Sequence, residues 1–261
     1  MRFLILLLLL SGTVQGQDFS LYEKHYFNAP ELNMPYRYLR PAVTDSTGRF
    51  PLIIFLHGAA QRGFDNESPL AIGGRFFLRD SVRRQYPAFI LFPQCPEIDT
   101  WAYFEIKEPI RGGTADWNFP FHKQPTGAGT VLKQLIDSLV RADAIDPDRV
   151  YIGGLSQGGM GVLDQLARFP GFYAAGFSIC GAGAVQTARY IANRSALWLF
   201  HGAEDDVVPV DFSRQYFKRL SKAGADVRYS EYKGIKHNSW NEAFQEPDLL
   251  PWLFSKNKKG H

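Results

Sequence analysis

Gly154-Leu155-Ser156-Gln157-Gly158 sets a serine between two glycines where an apolar run, Arg149 to Ile152, gives way to a helical pattern. A very sharp strand-to-helix turn needs glycine on both sides, and it lifts the central hydroxyl clear of the sheet as a nucleophile. A serine hydroxyl attacks poorly until a base takes its proton, and the base needs an acid to orient it. Downstream, His201-Gly202-Ala203-Glu204-Asp205-Asp206-Val207-Val208-Pro209 follows the apolar run Leu197 to Phe200. Asp205 is the predicted acid, with Glu204 and Asp206 as neighbours that could be mistaken for it. Lys233-Gly234-Ile235-Lys236-His237 then follows the last apolar run and makes His237 the predicted base. The other histidines have less to do: His25 and His122 fall in irregular segments, His261 is terminal, and His57 and His201 end strands before a glycine and read as turn-shaping residues.

Charge developing on a carbonyl oxygen under attack needs preorganised donors, typically two backbone N–H groups. Gln157, directly after the serine, supplies one. Phe55-Leu56-His57-Gly58-Ala59-Ala60 follows the first buried strand, and Ala59 is the expected second donor. Trp101, Tyr103, Phe104, Trp117, Phe119 and Phe121 crowd one long segment, and Trp240 lies three residues after His237. Such rings suit a flat sugar or phenolic group, so Trp101, Trp117 and Trp240 are the expected substrate contacts.

These groups must be held by a sheet. Candidate strands are Tyr36 to Arg40, Leu52 to Leu56, Ala88 to Phe92, Arg149 to Ile152, Ala174 to Ile179, Leu197 to Phe200 and Asp226 to Tyr232. Several are short and almost wholly apolar, as central strands buried on both faces must be. Between them lie helical patterns. The clearest runs from Thr126, a good N-cap, to about Asp143, with Val131, Leu132, Leu135, Ile136, Leu139 and Val140 on one stripe. Others follow Ser156 to Arg168 and Phe212 to Ala223, with weaker ones at Pro69 to Arg84 and Trp240 to Phe254. Strand and helix in alternation predict an α/β fold, a mostly parallel sheet covered on both faces. Pro93 to Pro125 has no sustained period and reads as a long functional loop.

With 261 residues, 45% of them hydrophobic and 21% charged, the chain can build a full core, which excludes disorder and coiled coil. A net charge of +3 is too small to imply a nucleic-acid partner or a membrane surface. Arg2, the apolar run Phe3 to Leu10, and Val14-Gln15-Gly16 before Gln17 read as a cleaved secretory signal. The expected layout is therefore a signal peptide at 1–16 and a single domain at 17–261 that works in the periplasm or outside the cell. No cofactor is called for, and the two cysteines, Cys95 and Cys180, lack metal-ligand spacing.

Taken together, Pro51 to Gly58, Phe92-Pro93-Gln94-Cys95-Pro96, Asp146 to Tyr151, the serine turn, His201 to Pro209 and Gly234 to Trp240 resemble the secreted α/β-hydrolases known as carboxylesterases, feruloyl or acetylxylan esterases, polyhydroxybutyrate-depolymerase-like proteins and predicted peptidases. The resemblance covers roughly Met34 to Phe254. It implies the α/β-hydrolase fold without a large cap domain, and ester hydrolysis by Ser156, Asp205 and His237 with the amides of Ala59 and Gln157. One departure is plain: where that family shows Gly-Ala-Gly-Glu-Arg-Gly, this chain has Gly58-Ala59-Ala60-Gln61-Arg62-Gly63, which touches the substrate side of the loop but not the triad. The implied strand order puts two strands between those preceding Cys95 and Cys180, about 14 Å at roughly 4.8 Å per step, too far for a disulfide. The expected substrate is an ester, acyl, acetyl or feruloyl, carbohydrate-linked ones included, and the expected state is a monomer or weak homo-oligomer. A serine peptidase on the same scaffold and a catalytically silent glycan-binding module are the alternatives.

Overall fold

The computed structural model describes residues 19–42, 48–107, 116–142 and 144–258. The stretch read as a signal peptide, and His261, lie outside them. Among the described residues there are ten strands: β1 (Glu23–Asn28), β2 (Asn33–Leu39), β3 (Phe50–Leu56), β4 (Phe89–Pro93), β5 (Glu105–Lys107), β6 (Asp116–Asn118), β7 (Ile145–Leu155), β8 (Ala175–Ile179), β9 (Ala196–Gly202) and β10 (Val227–Tyr232). The helices are α1 (Gly74–Leu78), α2 (Asp80–Gln85), α3 (Gly127–Ala142), α4 (Gln157–Arg168), α5 (Ala188–Ile191), α6 (Asp211–Lys222), α7 (Trp240–Ala243) and α8 (Leu249–Phe254).

Eight strands form one sheet in the order β1-β2-β4-β3-β7-β8-β9-β10. The β1–β2 and β2–β4 pairs are antiparallel and every later pair is parallel. Side chains on a strand alternate between faces, and β3 shows what this does here. Leu52, Ile54 and Leu56 pack with Val131, Leu132, Leu135 and Ile136 of α3 and Val162 and Leu166 of α4. Ile53 and Phe55 pack on the opposite face with Phe76 and Phe77 of α1 and Leu249, Trp252 and Leu253 of α8. The result is three layers, helix on sheet on helix, which is the α/β-hydrolase arrangement.

Every predicted strand is present. The expected turn at Asp146-Pro147-Asp148 lies inside β7 as an irregularity, because Phe50 pairs with Ile145 while Leu52 pairs with Val150. The Asp146 carboxylate stabilises it by accepting from the Asp148 N–H and the Arg149 guanidinium. His25, read from sequence as irregular, sits on β1, where its ring stacks on Tyr36 at 5.2 Å. The weak helix expected at Pro69 to Arg84 is broken into a turn and two short helices, with Gly73 at φ +91° between them. Trp240 to Phe254 is likewise two short helices. The long 93–125 segment carries the two-stranded β5–β6 hairpin. As predicted, Thr126 caps α3, its hydroxyl oxygen accepting from the Gly129 N–H at 3.0 Å. Among the described residues no helix is long and apolar enough to cross a membrane.

Candidate active site

Three connections at the carboxyl edge of the parallel strands bring the site together: β7 to α4, β9 to α6, and β10 to α7. Ser156 sits between β7 and α4 with φ +52° and ψ −119°, a conformation that non-glycine residues rarely adopt. Such a conformation persists only where its surroundings enforce it. Here the Ser156 N–H donates to the Ile179 carbonyl on the neighbouring strand at 2.8 Å. A Cβ on Gly154 would lie 2.5 Å from the Gly158 carbonyl oxygen, and one on Gly158 would lie 2.0 Å from the Leu56 carbonyl oxygen. The two glycines therefore let the turn close and press it against the segment that carries Ala59.

His237 Nε2 is 2.9 Å from Ser156 Oγ, and its Nδ1 is 2.8 Å from Asp205 Oδ2. A carboxylate can only accept, so Nδ1 carries the proton and Nε2 is left to receive one from the serine. Asp205 Oδ1 also accepts from the backbone N–H groups of Val207 and Val208, each at 2.9 Å. Burial by itself would raise the Asp205 carboxyl, but hydrogen bonds from His201, His237, Val207 and Val208 outweigh it and hold the group well below the usual carboxylate range. Asp206, the neighbour that could be mistaken for it, is exposed and paired with Lys236 Nζ at 2.8 Å. Glu204 is exposed as well. Of the three acids on the turn, the fold brings only Asp205 to the histidine.

Sequence reasoning missed His201. It is fully buried behind Asp205, with Nε2 3.0 Å from the Val208 carbonyl and 3.2 Å from Asp205 Oδ2, and Nδ1 2.8 Å from Ser213 Oγ. Both partners of Nε2 are acceptors, so Nε2 donates and the Ser213 hydroxyl donates to Nδ1. His57 does shape its turn: its Nε2 accepts from the Cys95 N–H at 3.0 Å, and its Nδ1 donates to the Gly58 carbonyl at 2.7 Å. Burial pushes its imidazole down to about 4.

Gln157 opens α4, so its N–H is among those a helix leaves without an internal partner. Ala59 begins a short turn of helix beside it and is exposed. The predicted aromatic contacts divide. Trp101 is corrected: it is fully buried, its indole N–H donates to the His57 carbonyl at 3.1 Å, and its ring meets His57 edge-on at 5.2 Å. It braces the Ala59 segment from behind and cannot reach substrate. Trp117 is half-buried in a stack between Phe104 and Phe119, at 6.0 and 5.9 Å. That stack packs with Met160 of α4, Ala182 after β8 and Val208 after Asp205, and forms an apolar wall beside the site. Trp240 meets the His237 ring edge-on at 5.8 Å.

Among the described residues, Cys180, Asp205 and His237 are the one group of three potential metal ligands close together, with their ligating atoms within 4.8 Å of one another. Both His237 nitrogens are already engaged, and burial pushes the Cys180 thiol up to about 12, so that it stays protonated. The set reads as part of the serine site and not as a separate metal centre. The cysteines are unpaired, one after β4 and one after β8 with β3 and β7 between them.

A nucleophile on a strained strand-to-helix turn, joined to a histidine and an acid above a sheet of this order, defines the class of α/β-hydrolase-fold serine esterases. Residues 43–248 match the family described as phospholipase/carboxylesterase, and the chain belongs to that family. Its relatives include acyl-protein thioesterase 1 of Kluyveromyces lactis, 23% identical and covering 84% of this chain and 97% of that protein. A probable carboxylesterase SOBER1-like protein of Arabidopsis thaliana is 24% identical over 80% of this chain and 79% of its own length. Among solved structures, a thermostable esterase superimposes with a TM-score of 0.80 at 30% identity, covering 92% of this chain; the chain spans 64% of that esterase's length. A ferulic acid esterase shares the fold, with a TM-score of 0.64 at 15% identity over 88% of this chain and 96% of that one.

Proposed function

We propose that this protein hydrolyses carboxylic esters through an acyl-enzyme on Ser156. His237 Nε2 takes the serine proton as Oγ attacks the ester carbonyl, and the N–H groups of Gln157 and Ala59 receive the developing oxyanion. His237 then hands its proton to the departing alkoxide, and the acyl-serine is hydrolysed by water activated through the same imidazole. Asp205 holds the imidazole in the tautomer this requires and stabilises its charged form. The observation that carries the reading is the unbroken Ser156–His237–Asp205 hydrogen-bond chain starting from a serine at φ +52°. Acetyl, feruloyl and other short acyl esters, including polysaccharide-linked ones, are the proposed substrates. The site of action is the periplasm or the cell exterior, on the strength of Arg2, the apolar run Phe3 to Leu10 and the small residues before Gln17. A single domain at 17–261, working as a monomer or weak homo-oligomer without nucleic acid, membrane or cofactor, completes the proposal.

The test is a panel of acetyl, feruloyl and short-chain acyl esters, acyl thioesters and aminoacyl anilides, run with a fluorophosphonate probe. Ester turnover together with a covalent adduct on Ser156 is expected. Anilide cleavage outpacing ester cleavage would make the protein a peptidase, and absence of any adduct would leave only a silent binding module.

A further inference from the structure

Two imidazoles share one oxygen of the acid. His237 Nδ1 lies 2.8 Å from Asp205 Oδ2 on the side of the nucleophile, and His201 Nε2 lies 3.2 Å from the same atom on the buried side. An N–H held against a carboxylate oxygen draws on its charge, so the two rings compete for the charge that must stabilise His237 once it holds the serine proton. Building on the ester-hydrolase reading, we infer that His201 is a positioning residue for this reaction: through Asp205 it sets how strong a base His237 is, and Ser213 of α6 in turn sets His201.

The His201 side chain is fully buried and Ser213 is 2% exposed, so neither can trade its partner for water. A neutral imidazole has one N–H, and the Val208 carbonyl and Asp205 Oδ2 both call for it on Nε2, at 3.0 and 3.2 Å. Nδ1 is then an acceptor, and Ser213 Oγ donates to it at 2.8 Å. That donation polarises the ring and strengthens Nε2–H as a donor to the acid. Hydrogen bonds therefore run unbroken from Ser213 through His201, Asp205 and His237 to Ser156, and they tie α6 to the reacting oxygen. His57, which shapes the turn after β3, hydrogen-bonds instead to backbone groups, the Cys95 N–H and the Gly58 carbonyl.

The neighbouring charges have partners of their own. Glu231, opposite His201 in the β9–β10 register, and Asp211 at the start of α6 are both held by Arg214, at 2.7 and 2.9 Å. Lys236, next to His237, pairs with Asp206 in solvent, and Glu204 is exposed. The Cys180 thiol, within 4.8 Å of the Asp205 and His237 ligating atoms, stays protonated because burial pushes it up to about 12. Among the described residues, the two imidazoles are the side-chain donors on Asp205.

The experiment measures kcat/KM for phenyl acetate against pH in the parent, His201→Leu, His201→Gln, Ser213→Ala and Ser213→Thr, with thermal unfolding showing each variant folded across the range. Leucine removes the N–H and leaves Asp205 more charge for His237, so the acid limb is expected to move up by about half a pH unit or more while kcat falls about tenfold. Glutamine, whose amide N–H can reach the same oxygen, is expected to return the limb to within about 0.2 unit of the parent. Ser213→Ala should move the limb the same way by about half as much as leucine does, and Ser213→Thr, which keeps the hydroxyl, should leave it in place. A limb that stays put in His201→Leu or in Ser213→Ala, whatever happens to kcat, or that glutamine does not return, overturns the proposal. Ser213→Ala removes one hydroxyl and opens no large void, so it carries the test if the leucine variant does not fold. Absence of phenyl acetate turnover in the parent itself would count instead against the ester-hydrolase reading.

Discussion

Four donors converge on the Asp205 carboxylate: the rings of His237 and His201 and the backbone N–H groups of Val207 and Val208. Asparagine at this position presents an NH2 to one or more of these donors and removes the charge that holds the imidazole, so Asp205→Asn is expected to lower kcat by at least about 10³-fold. Asp206→Asn, next door but paired only with Lys236 in solvent, should stay within about threefold, because exposed ion pairs contribute little. Equal losses in the two variants would show that the acid is misplaced. Ser156→Ala should remove ester turnover by about 10³-fold or more while the fold persists, since the members of such a set act as a unit. At this scale the sequence was readable where a residue type has few uses. A serine between glycines and a histidine after the last strand are rarely structural. His201 could not be separated from a turn-shaping histidine such as His57, because both precede a glycine at a strand end and only the fold shows which one faces the acid.

Elements, not residues, set the distance between the nucleophile and the oxyanion donors. The β7–α4 turn lies so close to the end of β3 that a methyl group on Gly158 would meet the Leu56 and His57 carbonyls at 2.0 and 2.7 Å. Gly158→Ala should therefore destabilise the protein by about 1–3 kcal/mol, and it should lower kcat even where the variant remains folded. Denaturant unfolding paired with kinetics checks this, and an unaltered kcat would mean that the two segments are not mechanically coupled. His57, at the end of β3, carries a second consequence. Buried, it takes up a proton only near pH 4, whereas an unfolded imidazole does so near 6.5. Between those values the unfolded chain holds a proton the folded one does not, so stability falls as pH falls through that window, by about 3 kcal/mol in all. Urea titrations from pH 7 to 4 should show that slope, and His57→Gln should flatten it; an equal slope in the variant would assign the effect elsewhere. Strands with continuous apolar runs were legible because burial on both faces leaves no other choice of residue. β1 was missed because half of Glu23-Lys24-His25-Tyr26-Phe27-Asn28 faces solvent at the sheet edge, and its charged residues disguise the alternation. The Pro69 to Arg84 helix was overextended because Gly73, in the left-handed region, and Arg79, in an extended conformation, break it from within.

For the whole molecule, the alternation of strand and helix was enough to state an α/β fold, while the strand order came from family resemblance and not from any local pattern. That order keeps the two buried cysteines on separate strand ends. Iodoacetamide is therefore expected to label neither thiol in the native protein and both after denaturation without reductant; fewer than two labelled would mean that a disulfide forms. The β5–β6 hairpin within the 93–125 segment escaped sequence reading because strands of three residues are too short to show a period. The connectivity also makes catalysis a clock for folding. Ser156 and His237 are 81 positions apart, and the acid and base follow the last two strands to join one side of the sheet. Closing such long intervals costs chain entropy before any contact repays it. During refolding from urea, helical signal should return before ester turnover does, and a chain still leaving the ribosome has no working enzyme until β10 has docked.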